Sequence, residues 1–198
     1  MIVKFFVPLV ISLVATLVVA VILVLTDTAK PVAAAEGGLD FDSYLERSGS
    51  DAPAPPTQTT PMRDGYDLAY RRFDGPVGAP LLVLVHGSGW HGMQFTTLAQ
   101  QLSAEATVIA PDLRGHGLHP GRRGDIDYID QFEDDLFDLI STLHEPGQKI
   151  ILGGHSSGGG LVVRFAGGQY GDLLDGAVLM APFLKHNAPT TRENSGGW

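Results

Sequence analysis

The chain opens with a long uncharged run. Phe5–Leu25 holds 21 consecutive positions without a charged side chain, nearly all of them apolar. At a rise of about 1.5 Å per residue, a helix of that length crosses a hydrocarbon layer of roughly 30 Å. Because nothing charged interrupts the run, a core helix of a soluble protein fits it poorly. The pattern therefore predicts a membrane-spanning helix within residues 1–26.

A cleavable secretory signal is the alternative for the same segment. Signal peptides have an apolar region of about 7–15 residues, shorter than this one. The small residues Ala33–Ala35 before Glu36 are nevertheless typical of a cleavage site. Lys4 and the amino terminus are the only positive groups before the run, so we expect them to stay in the cytoplasm. Either interpretation exports the rest of the chain, as a single-pass extracytoplasmic domain or as a secreted protein.

The polar stretch that follows changes the pattern. Residues 27–61 are rich in Ala, Pro, Asp, Ser and Thr, which is typical of a solvated linker. A folded domain is expected over residues 62–198. It begins with the turn dipeptide Asp64-Gly65, next to the strand-forming residues Tyr66–Phe73, and this combination indicates a hairpin.

Short apolar runs then alternate with segments of helical spacing. Continuous apolar runs are typical of strands buried on both faces of a parallel sheet. Four such strands are predicted at 80–85, 107–110, 149–152 and 176–180, and helices at 93–102, 129–143 and 161–166. The second helix carries an apolar stripe at three- and four-residue steps, formed by Ile129, Phe132, Leu136, Ile140 and Leu143. The alternation predicts an α/β fold with a mostly parallel sheet and helices on both faces.

The amino-acid composition excludes some classes of function but does not indicate a particular one. The formal net charge of −9 argues against a nucleic-acid partner, which requires a basic surface. The chain has no cysteine, so it has no disulfide framework, thiolate metal site or cysteine nucleophile. With 44% hydrophobic residues it can still form a substantial core.

The most specific motif lies between the third predicted strand and the helix after it. Gly154-x-Ser156-x-Gly158 matches the nucleophile elbow, a sharp strand-to-helix turn that exposes a serine. Side chains at the two glycine positions would collide with the neighbouring strand and helix. The helix amino terminus behind Ser156 offers a positive dipole end to a developing oxyanion. A glycine-rich phosphate loop or a plain turn is the alternative.

Two further segments follow buried strands. His86-Gly87-Ser88 comes directly after the first one, where a glycine lets the backbone approach the nucleophile and offer an N–H group. Alone, such a dipeptide is often only a turn. The third segment, residues 110–117, carries Asp112 and Arg114, for which we expect a structural role in bracing loops.

These segments, in this order and spacing, resemble the α/β-hydrolase family, closest to its monoacylglycerol lipase and lysophospholipase-like branch, over residues 62–184. The resemblance implies a serine hydrolase acting on carboxylic esters, with Ser156 as nucleophile and no metal or organic cofactor. It also implies an oxyanion hole formed by the backbone N–H groups of Ser88 and Ser157. The supporting residues would be Gly154, Gly158, His86 and Gly87. The epoxide hydrolases and haloalkane dehalogenases of the fold differ in carrying aspartate at the elbow.

The sequence departs from the family where the catalytic triad should be completed. The family order is serine, then an acid, then histidine. After Ser156 the acids are Asp172, Asp175 and Glu193, and the only histidine is His186. The first two precede the fourth predicted strand, at the wrong edge of the sheet, and His186 follows it, where the family begins its lid. We therefore expect the triad acid and base to lie beyond residue 198, with the fold truncated after the strand near 176–180.

Two functional hypotheses remain open. One is an exported ester hydrolase that forms an acyl-enzyme on Ser156. The other is a membrane-anchored, non-catalytic remnant, inactive because the acid and histidine are absent. The substrate stays open among acyl glycerols, lysophospholipids, small esters and peptide amides. Trp90, Met93 and Phe95 follow the first glycine loop and would either line an acyl pocket or pack a helix.

Overall fold

The structure is a computed structural model that describes residues 3–26, 53–118 and 120–184 of the 198-residue chain. The chain divides into two compact units, residues 1–44 and 45–198. Most of the predicted linker, residues 27–52, lies outside the described residues.

The first unit contains one long helix, α1 (Val3–Thr26). Its Val7–Thr26 portion has a mean hydropathy of 3.0, and none of it is buried within the protein. The two threonine hydroxyls of this portion donate to backbone carbonyls one turn earlier, Thr16 to Ser12 at 2.9 Å and Thr26 to Ile22 at 2.7 Å. The helix therefore satisfies these polar groups internally, as a lipid environment requires. A signal sequence near the amino terminus would meet the same criteria of length and composition.

The second unit is built on a six-stranded sheet. Its strands are β1 (Gln58–Pro61), β2 (Asp67–Phe73), β3 (Leu81–Val85), β4 (Thr107–Pro111), β5 (Ile150–His155) and β6 (Gly176–Met180). They lie in the order β1-β2-β4-β3-β5-β6. The β1–β2 and β2–β4 pairs are antiparallel, whereas β4, β3, β5 and β6 run parallel to one another. The predicted α/β fold with a mostly parallel sheet is confirmed.

The amino-terminal boundary of the folded domain differs from the prediction. Residues 58–61 were assigned to the linker, but they form β1, which pairs with β2 from Gln58 opposite Tyr70 to Pro61 opposite Asp67. The Tyr70 hydroxyl also donates to the Gln58 side-chain oxygen at 3.0 Å. A four-residue edge strand of polar residues lacks the apolar alternation that marks a strand in sequence, and it tolerates a proline at its end.

The sheet separates two layers of the core. Three helices cover it: α2 (Thr96–Leu102), α3 (Gln131–Leu143) and α4 (Ser157–Gly167). Because successive side chains of a strand point to opposite faces, Leu81, Val83 and Val85 of β3 pack with α3 and α4, whereas Leu82 and Leu84 pack against the face that holds α2. All five β3 residues are buried. Helices thus cover both faces, as predicted.

The apolar stripe of α3 agrees with the prediction except at its first residue. The helix begins only at Gln131, after Asp130 with a left-handed φ of 79°. Ile129 therefore lies outside the helix and is 76% exposed, which corrects its assignment to the buried stripe. Leu136 and Ile140 are buried as predicted, together with Leu139, and Phe132 and Leu143 pack against the same part of the core. The preceding predicted helix also starts differently, as a 3-10 turn at Gly92–Phe95 that continues into α2.

Strand β6 is not buried on both faces, which corrects the prediction for 176–180. Among the described strands it lies at the edge and pairs with β5, and its Val178 and Leu179 side chains are each 45% exposed. An edge position leaves one side of the strand without a neighbour.

Candidate active site

The loops that follow β3 and β5 lie side by side. These two strands are parallel neighbours in the sheet, and their register pairs Val85 with Gly154. The carboxyl ends of both strands therefore meet at the same edge. The segments that follow them are His86–Gly89 and the turn at Ser156, which joins His155, the last residue of β5, to α4.

Ser156 adopts an unusual backbone conformation at this turn. Its φ of 55° and ψ of −118° lie where a non-glycine residue pays a conformational cost of about 1–3 kcal/mol. Three backbone hydrogen bonds hold it there. The Ser156 N–H donates to the Met180 carbonyl at 3.1 Å, and its own carbonyl accepts from Phe183 N–H at 2.7 Å and from Gly160 N–H at 3.2 Å. The end of β6 and the residues after it therefore fix the turn.

The two glycines of the motif are required by close backbone contacts. A methyl group at Gly154 would lie 2.3 Å from the Gly158 carbonyl oxygen. At Gly158 it would lie 2.4 Å from the carbonyl oxygens of both Val85 and His86. Any side chain at these positions would push α4 away from β5 and from the end of β3. The glycines thus let the helix start directly behind Ser156.

The loop after β3 touches the turn at Ser156. A methyl group at Gly87 would lie 3.3 Å from the Ser156 Cβ atom and 3.1 Å from His155 Nδ1. One residue later, the Ser88 hydroxyl donates to the Ser157 hydroxyl at 2.9 Å. Ser157 opens α4, and the first N–H groups of a helix have no acceptor within it. The structure therefore brings Gly87, Ser88, Ser156 and Ser157 together.

The buried His86 ring fixes this loop through two hydrogen bonds. Its Nε2 atom accepts from the Leu113 N–H at 3.0 Å, so the ring proton is on Nδ1, which donates to the Gly87 carbonyl at 2.8 Å. Only 1% of the residue is exposed. Burial lowers the pKa of the His86 imidazole to about 4, opposed by the bond to the Gly87 carbonyl. His86 is therefore neutral at pH 7 and connects the loop to the segment after β4.

Three of the described histidines have a ring nitrogen bonded to a group other than the Ser156 hydroxyl, so none of these contacts identifies a general base. His116 Nδ1 is bonded to the Arg114 carbonyl, His144 Nε2 to the Gln148 carbonyl and His155 Nδ1 to the Gln94 amide. The candidate His186, together with His119 and Glu193, lies outside the described residues.

The acidic side chains that the structure describes, including Asp175 beside β6, do not cluster into a metal site. Asp175 accepts from the N–H of Ile150, the first residue of β5, at 2.8 Å, so it lies at the opposite strand end from Ser156. Within the described ranges, no group of three or more His, Asp or Glu side chains could hold a metal ion.

The charged residues after β4 are engaged in ion pairs. Asp112, 5% exposed, accepts from the Arg71 guanidinium at 2.9 Å and from the Gly92 N–H at 2.7 Å. Arg114 binds both carboxylate oxygens of Asp135, at 2.7 and 2.8 Å, and reaches Asp64 at 2.9 Å. These contacts join β2, α3 and two loops. They match the bracing role expected for Asp112 and Arg114.

Gln94 is a residue of the site that the sequence analysis did not single out. It belongs to the 3-10 turn Gly92–Phe95, and its amide contacts both Gly87 and His155. A glutamine within a helical pattern carries no signal of such a contact. Of the residues proposed for an acyl pocket, Phe95 is only 4% exposed and packs in the core with Ala99, which favours the helix-packing alternative for that side chain.

Comparison with known proteins places the chain among hydrolases. Residues 79–195 match the family model described as serine aminopeptidase, S33. An uncharacterised protein of Mycobacterium tuberculosis is 33% identical over 128 residues, 65% of this chain and 36% of that protein. The human monoglyceride lipase is 31% identical over 129 residues, 63% of this chain and 42% of the lipase.

A solved structure gives the same result. The monoacylglycerol lipase of Paleococcus ferrophilus aligns with a TM-score of 0.54 and 33% identity, over 65% of this chain and 48% of that chain. The chain thus spans between about a third and a half of the length of these relatives.

Proposed function

The chain belongs to the serine aminopeptidase S33 family of α/β-hydrolases, in its monoacylglycerol lipase-like branch, and from this premise we propose that it hydrolyses carboxylic esters through an acyl-enzyme on Ser156. The observation that carries the proposal is the conformation of Ser156. A serine with positive φ between β5 and α4, beside the backbone of Gly87, has the form of a nucleophile elbow.

In the proposed reaction, the Ser156 oxygen attacks the ester carbonyl carbon. The carbonyl oxygen becomes an oxyanion, which the backbone N–H groups of Ser88 and Ser157 stabilise together with the amino terminus of α4. The bond to the alcohol oxygen then breaks, the alcohol leaves with the proton that the Ser156 hydroxyl released, and the acyl group stays on Ser156. Water attacks the acyl carbon in turn, the carboxylic acid leaves, and a proton of the water returns to the Ser156 oxygen. Support for the oxyanion hole comes from the contact between the Ser88 and Ser157 hydroxyls.

The substrate class follows from the relatives. Two of them are named as monoglyceride or monoacylglycerol lipases, from human and from Mycolicibacterium smegmatis, and a rice relative is named as an esterase. We therefore propose a small-molecule ester or lipid ester as substrate. An acyl glycerol is the first candidate, ahead of the amino-terminal peptide bond that the family description names.

For the location we propose an anchor in a membrane through α1, with the hydrolase unit on the extracytoplasmic side. The support is the exposed, apolar Val7–Thr26 segment and the single positive side chain, Lys4, before it. Fractionation with protease protection tests this. We expect the intact amino terminus in the membrane fraction and the hydrolase unit accessible from outside; recovery of intact protein only in the soluble fraction would refute the anchor.

The activity test compares the complete product of the gene with its Ser156→Ala variant. The panel comprises a p-nitrophenyl ester, a monoacylglycerol, a lysophospholipid and an aminoacyl p-nitroanilide. We expect the esters to be hydrolysed faster than the anilide, with a loss of three or more orders of magnitude in Ser156→Ala. Ser103→Ala, whose hydroxyl donates to the Gln100 carbonyl, is the matched control and should retain activity.

The same assay on residues 53–198, which keep strand β1 whole, tests the dependence on a base. A serine hydroxyl is a weak nucleophile without one, and loss of the base costs on the order of 10⁶ in turnover in a triad enzyme. We expect slow or undetectable hydrolysis. Brisk turnover that disappears in Ser156→Ala would point to a base within this part of the chain, and His186→Ala would then be the next variant. Absence of Ser156-dependent hydrolysis in the complete product would favour the non-catalytic alternative.

A further inference from the structure

We propose that Gln94 is a positioning residue for ester hydrolysis, whose side-chain amide holds the proposed oxyanion loop against the nucleophile turn. The proposal rests on the function proposed for Ser156, since positioning has meaning only if that serine reacts. It goes further by giving a role to a residue outside all three sequence motifs.

The orientation of the Gln94 amide follows from its partners. The Gly87 N–H can only donate, so the Gln94 Oε1 atom accepts from it, at 3.1 Å. The Nε2 group must then face the other way, where it lies 2.8 Å from His155 Nδ1. Because an amide NH₂ group can only donate, His155 Nδ1 is the acceptor and the ring proton is on Nε2. One side chain therefore bridges the residue after His86 and the residue before Ser156.

This bridge spans the contact on which the proposed chemistry depends. Gly87 precedes Ser88, one of the two proposed oxyanion donors, and a methyl group at Gly87 would lie within 3.3 Å of the Ser156 Cβ atom. The Gln94 amide thus holds the Gly87 N–H of one loop and the His155 ring of the other. A second side-chain contact between the two loops, the Ser88–Ser157 hydroxyl pair, is exposed to solvent.

Gln94 is itself held by a rigid support. The turn Gly92–Phe95 starts at the Gly92 N–H, which donates to the buried Asp112 carboxylate at 2.7 Å. It ends at Phe95, which is packed in the core. The next residue, Thr96, donates its hydroxyl to the Met93 carbonyl at 3.0 Å. A side chain on such a support can hold a loop in place, because these contacts anchor its own backbone.

The expected effect is on the chemical step rather than on substrate binding. Interactions made only in the transition state lower kcat when they are lost and leave KM unchanged. Removal of an oxyanion donor costs about 10²–10³ in kcat. Because Gln94 acts through the loop and not on the oxyanion, we expect Gln94→Met to lower kcat by roughly 10–100-fold, with KM within about twofold.

Two further variants separate positioning from a general structural role. Gln94→Glu keeps an acceptor for the Gly87 N–H, and its second oxygen can accept from His155 Nδ1 when the ring is in its other tautomer. The kcat of Gln94→Glu should therefore be close to that of the wild type and well above that of Gln94→Met. Gln101→Met places the same substitution at an exposed site in α2 and should behave as the wild type. Hydrogen exchange of the complete protein, followed by mass spectrometry, gives a readout independent of activity. The Gly87 amide should exchange faster in Gln94→Met alone.

The outcomes are distinguishable. Lower kcat with unchanged KM in Gln94→Met, recovery in Gln94→Glu and faster exchange at Gly87 support the proposal. Wild-type kcat in Gln94→Met, or a loss that follows the amount of unfolded protein, overturns it. If the wild type shows no hydrolysis that depends on Ser156, the proposed function fails and the positioning role with it; the exchange experiment then shows only whether the bridge exists.

Discussion

The loop after β4 and the two loops after β3 and β5 differ in how their polar groups are used. The β4 loop carries the more conspicuous residues, Asp112 and Arg114, and both are buried and bound to opposite charges. The loops after β3 and β5 carry glycines and serines. They hold a serine with positive φ and the first N–H groups of a helix, at a place where two backbones nearly touch.

The difference shows that the strained serine does not lie in the loop with the most conspicuous charged residues. A charged group that is buried and fully paired has its partners inside the fold and stabilises the loops around it. The turn at Ser156 is held in a costly backbone conformation by three hydrogen bonds, and it is there that we propose the reaction. The following predictions test this contrast, from the largest expected effect to the smallest.

Loss of the Arg114 side chain should destabilise the fold without changing the chemistry. Arg114→Met leaves the Asp135 carboxylate, 2% exposed, without its bidentate partner. Removal of one partner of a buried pair costs about 3–5 kcal/mol. Urea unfolding measures the loss, and the kcat of the folded variant should equal that of the wild type. Arg122→Met, at a pair whose arginine is 61% exposed, is the control and should change stability little. A fall in kcat with unchanged stability would give Arg114 a catalytic role.

The buried His86 should make the free energy of unfolding fall as the pH is lowered. Its pKa is about 4 in the folded state, below the ordinary value of 6.5, so the unfolded state binds the proton more readily. The stability that neutral His86 provides is therefore present above pH 6.5 and lost as pH falls from 6.5 to 4, by up to about 3 kcal/mol. Unfolding free energies at pH 7 and pH 4 measure it. The decline should be smaller in His86→Gln than in the wild type; equal declines would show that His86 does not contribute.

A methyl group at Gly158 should disturb the site, whereas one at Gly167 of the same helix should not. Gly158→Ala places a carbon 2.4 Å from two carbonyl oxygens at the end of β3. Overpacking of this kind costs about 1–3 kcal/mol, and the shift of α4 should also lower kcat. Gly167→Ala meets nothing within 4 Å and should be neutral or slightly stabilising. Melting curves and kinetics of the pair measure the difference, and the idea fails if both variants behave alike.

Relief of the Ser156 backbone strain should give the smallest change in the free energy of unfolding. Ser156→Gly removes the hydroxyl and allows φ 55°, ψ −118° without the usual penalty, so it should stabilise the protein by about 1 kcal/mol while abolishing activity. Ser103→Gly, at a φ of −65°, should instead destabilise it. If Ser156→Gly destabilised the protein as much as Ser103→Gly, the turn would not be strained.

The sequence was sufficient for the parts of the fold that rest on apolar periodicity. The runs that became β3, β4 and β5 are continuous because both faces of those strands are covered, and this produces a clear signal. Strand β1 was missed because a short polar edge strand has no such pattern. Ile129 was misplaced because the positive φ of Asp130 starts α3 later than the apolar spacing suggests.

The site was predictable only where glycine spacing reports a backbone requirement. Gly154 and Gly158 mark a close approach that no other residue permits, so the turn at Ser156 could be located from them. The contacts of Gln94 with Gly87 and His155 depend on the packing of the Gly92–Phe95 turn beside two strand ends. The bond from the Ser156 N–H to the Met180 carbonyl and the bond from the Phe183 N–H to the Ser156 carbonyl depend on the position of β6. Neither leaves a local pattern in the sequence.

The most direct test of the central claim is the identity of the acylated residue. The complete protein is mixed with an activated ester, quenched within the first turnover and digested, and the peptides are weighed by mass spectrometry. We predict one acyl group on the peptide that contains Ser156, located on that residue by fragmentation, and none in Ser156→Ala. An acyl group on Ser157 or elsewhere, or ester hydrolysis that continues in Ser156→Ala, would contradict the account.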